Sequence, residues 1–371
     1  MATSRRIAVV DWAKLVYAFV IVLVHANYLM PGAYDWRLVE CFGGGYVAVE
    51  FFFIVSGFLM AKAASKTNIK SAHLGYETIQ FIGRKILVIL PIYVVAYMLD
   101  FILMQILNNA SLYTAVKQFI YAIPYFLRYH MAGFEGIVDP IAPAWYISSM
   151  LLAMLLLYPM FKKFKDIFSC VIAPLLTLFL YGYISQTRGN ISASSIWIGS
   201  IYVGNLRAIA GISLGCICWE ISQKISNLKF STLFKKILTV VEGACYILPI
   251  ISMQLRAHTK LDFIIIFMFA VAITLSFSRQ TYSSEITFAP SWVANFSLSI
   301  YLTHNEMNAL VKVLFPQGGL WDRLPWMLLF SVIFAIICMI MGMTLRKFWV
   351  KRWPLWRSKL VIPETNCTNS R

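Results

Sequence analysis

Long apolar runs alternate with short polar stretches along almost the whole chain. About ten of these runs approach or exceed the roughly 18 to 20 residues that cross a bilayer as a helix. We predict membrane-spanning helices over 7–30, 42–64, 84–107, 143–161, 166–185, 196–220, 236–254, 261–278, 290–313 and 325–347. The runs are continuous and lack the alternation of β-barrel strands, so they predict an all-α, polytopic integral-membrane helix bundle.

No linker, repeat or low-complexity segment divides the chain, so we expect one domain over 1–371. Its core would cover 5–348, and a basic cytoplasmic tail would cover 349–371. The longest connection, 108–142, contains an apolar and aromatic piece interrupted by Pro124. This pattern predicts an interfacial or re-entrant helix pair, and two further short spans are the alternative.

Composition agrees with a membrane protein. Of the 371 residues, 60% are hydrophobic and only 13% are charged, which excludes an ordinary soluble domain. The net charge of +16 could indicate a nucleic-acid partner. However, the basic residues cluster at the ends of apolar runs and in alternate loops, which favours membrane lipid and no nucleic acid. By the positive-inside rule, we expect a multi-pass protein of the inner (plasma) membrane with both termini cytoplasmic.

The first span carries three ionisable residues inside its apolar sequence, namely Asp11, Lys14 and His25. Lys14 and His25 share one helix face and lie about 16 Å apart along the axis, with Asp11 near the same face. The second span carries Glu50. Ionisable groups are costly in hydrocarbon and usually face a cavity or the bundle interior, so these four are candidates for function.

His25 and Glu50 are predicted at similar depth on consecutive helices. A carboxylate that holds one imidazole nitrogen leaves the other free to take a proton from a hydroxyl. Our hypothesis is therefore that His25 is a general base oriented by Glu50. The alternative is that His25 only makes a hydrogen bond within the bundle.

Five segments, in this order, resemble the membrane-bound acyltransferase-3 family of bacteria. They are the Lys14 and His25 pair, the stretch from Gly44 to Phe58 with Glu50 before an aromatic run, FIGRKILVILPIY with Arg84 and Pro91, PAWYISSMLLAMLLLYP with Trp145, and SLSIYLTHNEM with Tyr301 and His304. Members of this family O- or N-acylate sugars and envelope glycans. The resemblance therefore implies a membrane acyltransferase, with acetyl as the expected acyl group.

The resemblance implies acyl-CoA, and most simply acetyl-CoA, as the donor substrate. Lys14 and Arg84 lie near the cytoplasmic ends of their spans, where they could hold the phosphates of coenzyme A, with Asp11 as the partner of Lys14. Snorkelling to lipid headgroups is the alternative for both cations. Arg207 lies in the middle of the sixth span, so we expect contact with the acyl donor or a structural ion pair.

Residues expected in the outer half of the membrane would bind the sugar or glycan acceptor. They are Trp145, Tyr301, His304 and Glu306. Trp145 could equally be an interfacial anchor, and His304 could be a packed neutral residue. Their spacing does not suit metal ligation, and we predict no metal. Met150 stands where one branch of the family has an acid, so the branch with an esterase-like domain is the less similar one.

A proton-coupled transporter or exporter of a glycan or lipid-linked intermediate is the alternative function. In that case a proton relay would be formed by Asp11, Lys14, His25, Glu50, Arg207 and His304. A non-catalytic sensor or scaffold is a third reading. Consumption of a thioester with release of a thiol belongs only to the enzyme. An oligomer is compatible with all three but has no support in the sequence.

Overall fold

The computed structural model describes residues 7–30, 40–66, 73–126, 130–133, 139, 141–192 and 195–357. The protein is 83% helical. Within the described ranges, the helices are α1 Ala8–Ala26, α2 Ala48–Ala64, α3 Leu74–Leu107, α4 Leu112–Phe126, α5 Trp145–Lys163, α6 Lys165–Arg188, α7 Val203–Ser226, α8 Thr232–Leu255, α9 Leu261–Ser278, α10 Ser291–Thr303, α11 Asn305–Leu314 and α12 Leu320–Arg357. A short antiparallel hairpin precedes α7, and each of its strands has two residues, β1 Trp197–Ile198 and β2 Ile201–Tyr202.

Eight of these helical segments are long and apolar enough to cross a membrane. They are Ala8–Leu29, Gly45–Ala64, Leu74–Leu107, Ala142–Lys163, Lys165–Arg188, Thr232–Leu255, Leu261–Ser278 and Leu320–Trp349. The predicted helix bundle is therefore confirmed, although the predicted count of ten is not. The predicted spans outside the eight are α7, which carries Arg207, Glu220 and Lys224, and the segment 290–313.

The ninth predicted span is not one helix. It is broken at His304, which ends α10 and begins α11. The apolar pattern on both sides of His304 gave no sign of this break. The third helix was also predicted too short, since α3 begins at Leu74, ten residues before Arg84. In the predicted helix pair at 108–142 the structure describes one long helix, α4, and residues 127–129, 134–138 and 140 lie outside the described ranges.

Helices α2 and α7 pack against each other with their backbones almost in contact. A Cβ atom on Gly57 of α2 would lie 2.1 Å from the carbonyl oxygen of Ile212, and a Cβ on Gly215 of α7 would lie 2.1 Å from that of Ile54. Small residues permit this approach, as is typical of helices in membranes. The close packing brings Glu50 on α2 beside Arg207 on α7.

Helix α1 lies between two groups of packed side chains. Its residues Tyr17 and Ile21 belong to a large cluster formed mainly by α2, α3, α5, α7 and α9. Its residues Ala18 and Val22 belong to a smaller cluster with α10, α11 and α12. His25 therefore emerges at the junction of the two halves of the bundle, where it can contact side chains of both.

Candidate functional site

Two cavities open into the bundle, and we name each after its most distinctive side chains. The histidine cavity encloses about 550 Å³ and is lined by Ile21, Val24, His25, Tyr28, Tyr46, Val49, Trp145, Arg188, Asn190, Ser192, Arg207 and His258. The lysine cavity encloses about 690 Å³ and is lined mainly by apolar side chains, with Lys14, Lys66, Arg84 and Lys85 among them. Both volumes suit a small-molecule site. Val49 lines both cavities, so they adjoin beside α2.

His25 is held by two acceptors at one ring nitrogen. Its Nδ1 lies 2.7 Å from the carbonyl oxygen of Ile21 and 3.2 Å from Nε2 of His304. A backbone carbonyl only accepts hydrogen bonds, so Nδ1 of His25 carries the proton. The other nitrogen, Nε2, then carries a lone pair, and His25 lines the histidine cavity. This arrangement suits a general base.

His304 is fixed by the same logic. Its Nδ1 lies 3.1 Å from the carbonyl oxygen of Ile300, which can only accept, so Nδ1 is protonated and Nε2 accepts from His25. The break between α10 and α11 places this ring, which is fully buried, against α1. The two histidines are therefore a matched donor and acceptor pair.

Glu50 does not orient His25, and this prediction is wrong. Its carboxylate accepts a 2.7 Å hydrogen bond from Nε of Arg207 and a hydrogen bond from the hydroxyl of Tyr181. The side chains of Glu50 and Arg207 are 0% and 1% exposed, which makes this a buried, hydrogen-bonded ion pair. Close packing of α2 on α7 explains the pairing, and His304 takes the position next to His25.

Arg207 belongs to the histidine cavity, whereas the other predicted donor-binding residues line or border the lysine cavity. It donates from Nη2 to the backbone oxygen of Tyr46 at 3.2 Å. Its guanidinium also lies 5.1 Å from the ring centre of Trp145, a cation–π distance. Of the two alternatives for Arg207, the structural ion pair is therefore present.

A network that sequence reasoning missed closes one wall of the histidine cavity. The hydroxyl of Tyr46 donates to Oδ2 of Asp262 at 2.9 Å, and the backbone N–H of His258 donates to that hydroxyl at 2.7 Å. The backbone N–H of Ile191 also donates to Oδ2 of Asp262, at 3.1 Å. Partial burial lowers the pKa of His258, so its ring is neutral at pH 7.

The lysine cavity has cations among apolar walls. Nζ of Lys14 forms a 2.9 Å ion pair with Asp11 one turn earlier on α1, as predicted. Arg84 and Lys85 come from α3, and Lys66 lies in the turn that follows α2. Lys14 and Arg84, chosen from the sequence as donor-binding residues, are therefore brought to one cavity.

Three aromatic rings stand where the lysine cavity approaches the histidine pair. The centroids of Phe52, Tyr146 and Tyr301 lie 6.0 to 6.3 Å from one another, and Tyr301 lies 6.2 Å from the ring of His304. The hydroxyl of Tyr146 is 3.0 Å from Oγ of Ser56. Tyr301 donates its own hydroxyl to the backbone oxygen of Pro143. All three rings line the lysine cavity.

The predicted acceptor residues do not form one group. Trp145 lines the histidine cavity, and Tyr301 lines the lysine cavity. His304 contacts His25 through the pair of ring nitrogens described above. Glu306 lies in the first turn of α11, and its carboxylate accepts a long 3.4 Å hydrogen bond from Asn305. Among the described residues, no group of three His, Cys, Asp or Glu side chains is placed to hold a metal ion.

Comparison with known proteins gives one positive result. The model of the acyltransferase-3 family, described as an acyltransferase domain, matches residues 7–344. This range includes α1 to α11 and most of α12, and both cavities with all of their lining residues. No curated protein and no solved structure matches the chain.

Proposed function

Because the chain belongs to the acyltransferase-3 family, we propose that it moves an acyl group from acyl-CoA to a hydroxyl of a sugar or envelope glycan. Acetyl-CoA is the simplest donor. The observation that carries the proposal is that His25 lines the histidine cavity, which adjoins the lysine cavity at Val49. A base in one of two adjoining cavities suits a reaction that joins two substrates.

The lysine cavity is the proposed donor site. Coenzyme A carries phosphates, which bind to fixed cations such as those of Lys14, Arg84 and Lys85. Its pantetheine arm is thin and largely apolar, as are the walls of the cavity. We place this cavity toward the cytoplasm, where coenzyme A is made, in agreement with the charge pattern of the loops.

The histidine cavity is the proposed acceptor site. Nε2 of His25 takes the proton of the acceptor hydroxyl as the oxygen forms a bond to the thioester carbonyl carbon. The C–S bond then breaks, and the thiolate of coenzyme A leaves and recovers the proton from His25. The products are the acylated acceptor and free coenzyme A thiol.

His304 positions His25 during this exchange. When Nε2 of His25 gains a proton, the ring becomes a cation, and its Nδ1–H is shared between the carbonyl oxygen of Ile21 at 2.7 Å and Nε2 of His304 at 3.2 Å. The accepting nitrogen stabilises that cation and prevents the ring from turning. This is the role that sequence reasoning gave to Glu50.

Thiol release from acetyl-CoA tests the proposal. The purified protein in detergent would be assayed with and without a glycan extract of the source cells, beside the variant His25→Ala. We expect release that requires both the extract and His25. Failure to release thiol or to bind coenzyme A would overturn the proposal in favour of the transporter, which proton flux in liposomes would then detect.

A further inference from the structure

The geometry points to an anionic acceptor, and we propose that a carboxylate or phosphate on the glycan binds Arg188 and His258 of the histidine cavity. This inference rests on the function proposed above and adds the charge of the substrate to it. Neither residue was singled out by the sequence, and neither takes part in the proton transfer.

The charged side chains of the cavity lining are all positive. The described lining includes two arginines, Arg188 and Arg207, and no aspartate or glutamate. Two acids lie next to the lining, and both accept hydrogen bonds. Glu50 is bound by Arg207 and Tyr181, and Oδ2 of Asp262 accepts from Tyr46 and Ile191. An anion that enters would therefore meet the guanidinium of Arg188, and the described lining residues include no carboxylate.

Arg188 differs from Arg207 in having an uncommitted charge. The charge of Arg207 is balanced by Glu50. Arg188 is the last residue of α6, its side chain is exposed, and within the described residues its guanidinium forms no ion pair. A planar guanidinium with five donors matches a carboxylate or a phosphate in a bidentate manner.

The loop that follows Arg188 is held in place by hydrogen bonds. Gly189 turns the chain with a φ of 70°, a conformation that glycine adopts without a steric penalty. Asn190 then accepts hydrogen bonds from the backbone N–H and the hydroxyl of Ser192, at 3.0 and 2.7 Å. Because Ile191 is tied to Asp262, this loop is anchored to the wall that carries Tyr46 and His258.

His258 is held in an unfavourable backbone conformation. Its φ of 56° lies in the left-handed region, which is uncommon for a residue with a side chain. The hydrogen bond from its backbone N–H to Tyr46 and the ring contact with Tyr46, 5.1 Å between centroids, hold it there. This conformation places the imidazole in the lining of the cavity, where it can donate to an anion.

Aromatic faces in the same cavity suit the sugar to which the anion is attached. Trp145 and Tyr28 both line it, and the ring of Tyr28 stacks on that of His25 at 5.9 Å. A sugar ring packed on these faces would bring a hydroxyl to His25 while its acidic group reached Arg188. The cavity therefore combines an apolar platform, a base and a site for negative charge.

Fractionation of the acceptor extract tests the inference. An extract that supports thiol release would be separated on an anion-exchange resin, and the bound and unbound fractions assayed separately. We expect acceptor activity in the bound fraction. Removal of phosphate groups by a phosphatase and reduction of carboxylates to alcohols, on separate portions, would identify the anion. Activity in the unbound fraction, or activity that survives both treatments, would overturn the inference.

The variant Arg188→Gln connects the charge to the residue. We expect its KM for the bound fraction to rise about tenfold, with kcat changed less than about twofold, since the lost contact is a charge-assisted hydrogen bond remote from the reacting atoms. Arg188→Lys should recover part of the loss. Arg256→Gln, which removes an exposed arginine outside the cavity lining, is the matched control.

Salt gives an independent measurement. The KM of the wild-type protein for the bound fraction should rise with ionic strength, and this dependence should be weaker in Arg188→Gln. An equal salt dependence in the two proteins would remove Arg188 from the proposal. If the whole extract supports no thiol release before fractionation, the proposed acyl transfer itself fails, and this result is distinct from release that is driven by neutral glycans.

Discussion

The two cavities adjoin at Val49, yet their ion pairs differ in exposure to solvent. In the histidine cavity, Arg207 and Glu50 form an ion pair with side chains 1% and 0% exposed. In the lysine cavity, Lys14 and Asp11 also pair, but their side chains are 22% and 11% exposed. The ion pair of the histidine cavity is shielded from solvent, whereas the ion pair of the lysine cavity is partly exposed. The difference suits precise placement of a reacting hydroxyl in one cavity and adaptable capture of phosphates in the other.

Replacement of His25 by alanine should give the largest effect on activity. We expect kcat for acyl transfer to fall about 10²- to 10⁴-fold, the usual contribution of a positioned general base. The KM for acetyl-CoA should change little, because His25 lines the histidine cavity and the lysine cavity is the proposed donor site. Steady-state thiol release over a range of acetyl-CoA concentrations measures both quantities.

The control for this variant is His73→Ala, which removes an exposed histidine at the start of α3. It should retain wild-type kinetics. His304→Ala should lower kcat by less than His25→Ala does, because it removes the positioning partner and leaves the base. Equal activity of His25→Ala and wild type, in a protein with unchanged thermal stability, would exclude the base role.

Replacement of Glu50 by glutamine should give the largest effect on stability. The change leaves the guanidinium of Arg207 buried without its counter-charge, which typically costs about 3–5 kcal/mol. We expect a markedly lower midpoint of thermal unfolding in detergent. The double variant Glu50→Gln/Arg207→Met, which removes both charges, should recover much of the loss.

An exposed ion pair provides the matched control. Lys165 and Glu220 pair at 3.1 Å, and the lysine side chain is 48% exposed. Such surface pairs contribute little, about 0–1 kcal/mol, so Lys165→Gln should leave the unfolding midpoint close to that of wild type. If Glu50→Gln behaves like Lys165→Gln, the rigid frame inferred for the histidine cavity is wrong.

Most of the fold could be predicted from the sequence, because an apolar run of about 20 residues reports its environment locally. The span of α9, 261–278, agrees with its prediction at both ends. The pairing of polar side chains could not be predicted in this way. Glu50 and Arg207 are 157 residues apart, and His25 and His304 are 279 residues apart. Which charge meets which depends on the packing of helices, and the close approach of α2 and α7 decides it for Glu50.

His258 shows a second limit. It lies in a loop between α8 and α9, among polar residues that resemble those of any other connection. Two features suggest a function for His258, its positive φ and the position of its ring in the cavity lining. Both are properties of the folded chain. Lys14, in contrast, could be found because it interrupts an apolar run, and Arg84 could be found because its segment resembles the family.

Replacement of Lys14 or Arg84 by glutamine should give a moderate effect confined to the donor. We expect the KM for acetyl-CoA to rise about fivefold to tenfold in each single variant, since each charge is partly exposed and screened by solvent. High salt should raise the wild-type KM in the same direction. Initial rates at fixed acceptor concentration measure the change.

Arg188→Gln is the control variant in the histidine cavity. It should leave the KM for acetyl-CoA unchanged while raising the KM for the acceptor. A rise in the acetyl-CoA KM for Arg188→Gln, or no rise for Lys14→Gln and Arg84→Gln, would show that the two cavities do not divide the substrates as proposed.

Replacement of Ser56 by alanine should give the smallest effect, and it separates direct transfer from a route through an acyl-enzyme. Ser56 lines the lysine cavity, the proposed donor site. Its polar partners are the hydroxyl of Tyr146 at 3.0 Å and the sulfur of Met150 at 3.3 Å, and neither is a base that could take its proton at neutral pH. We expect kcat within about threefold of wild type, a loss of the size expected for one hydrogen bond. A loss as large as that of His25→Ala, together with acyl label bound to the wild-type chain, would instead make Ser56 the nucleophile. The histidine pair would then act on the second half of the reaction, the transfer of the acyl group from Ser56 to the acceptor.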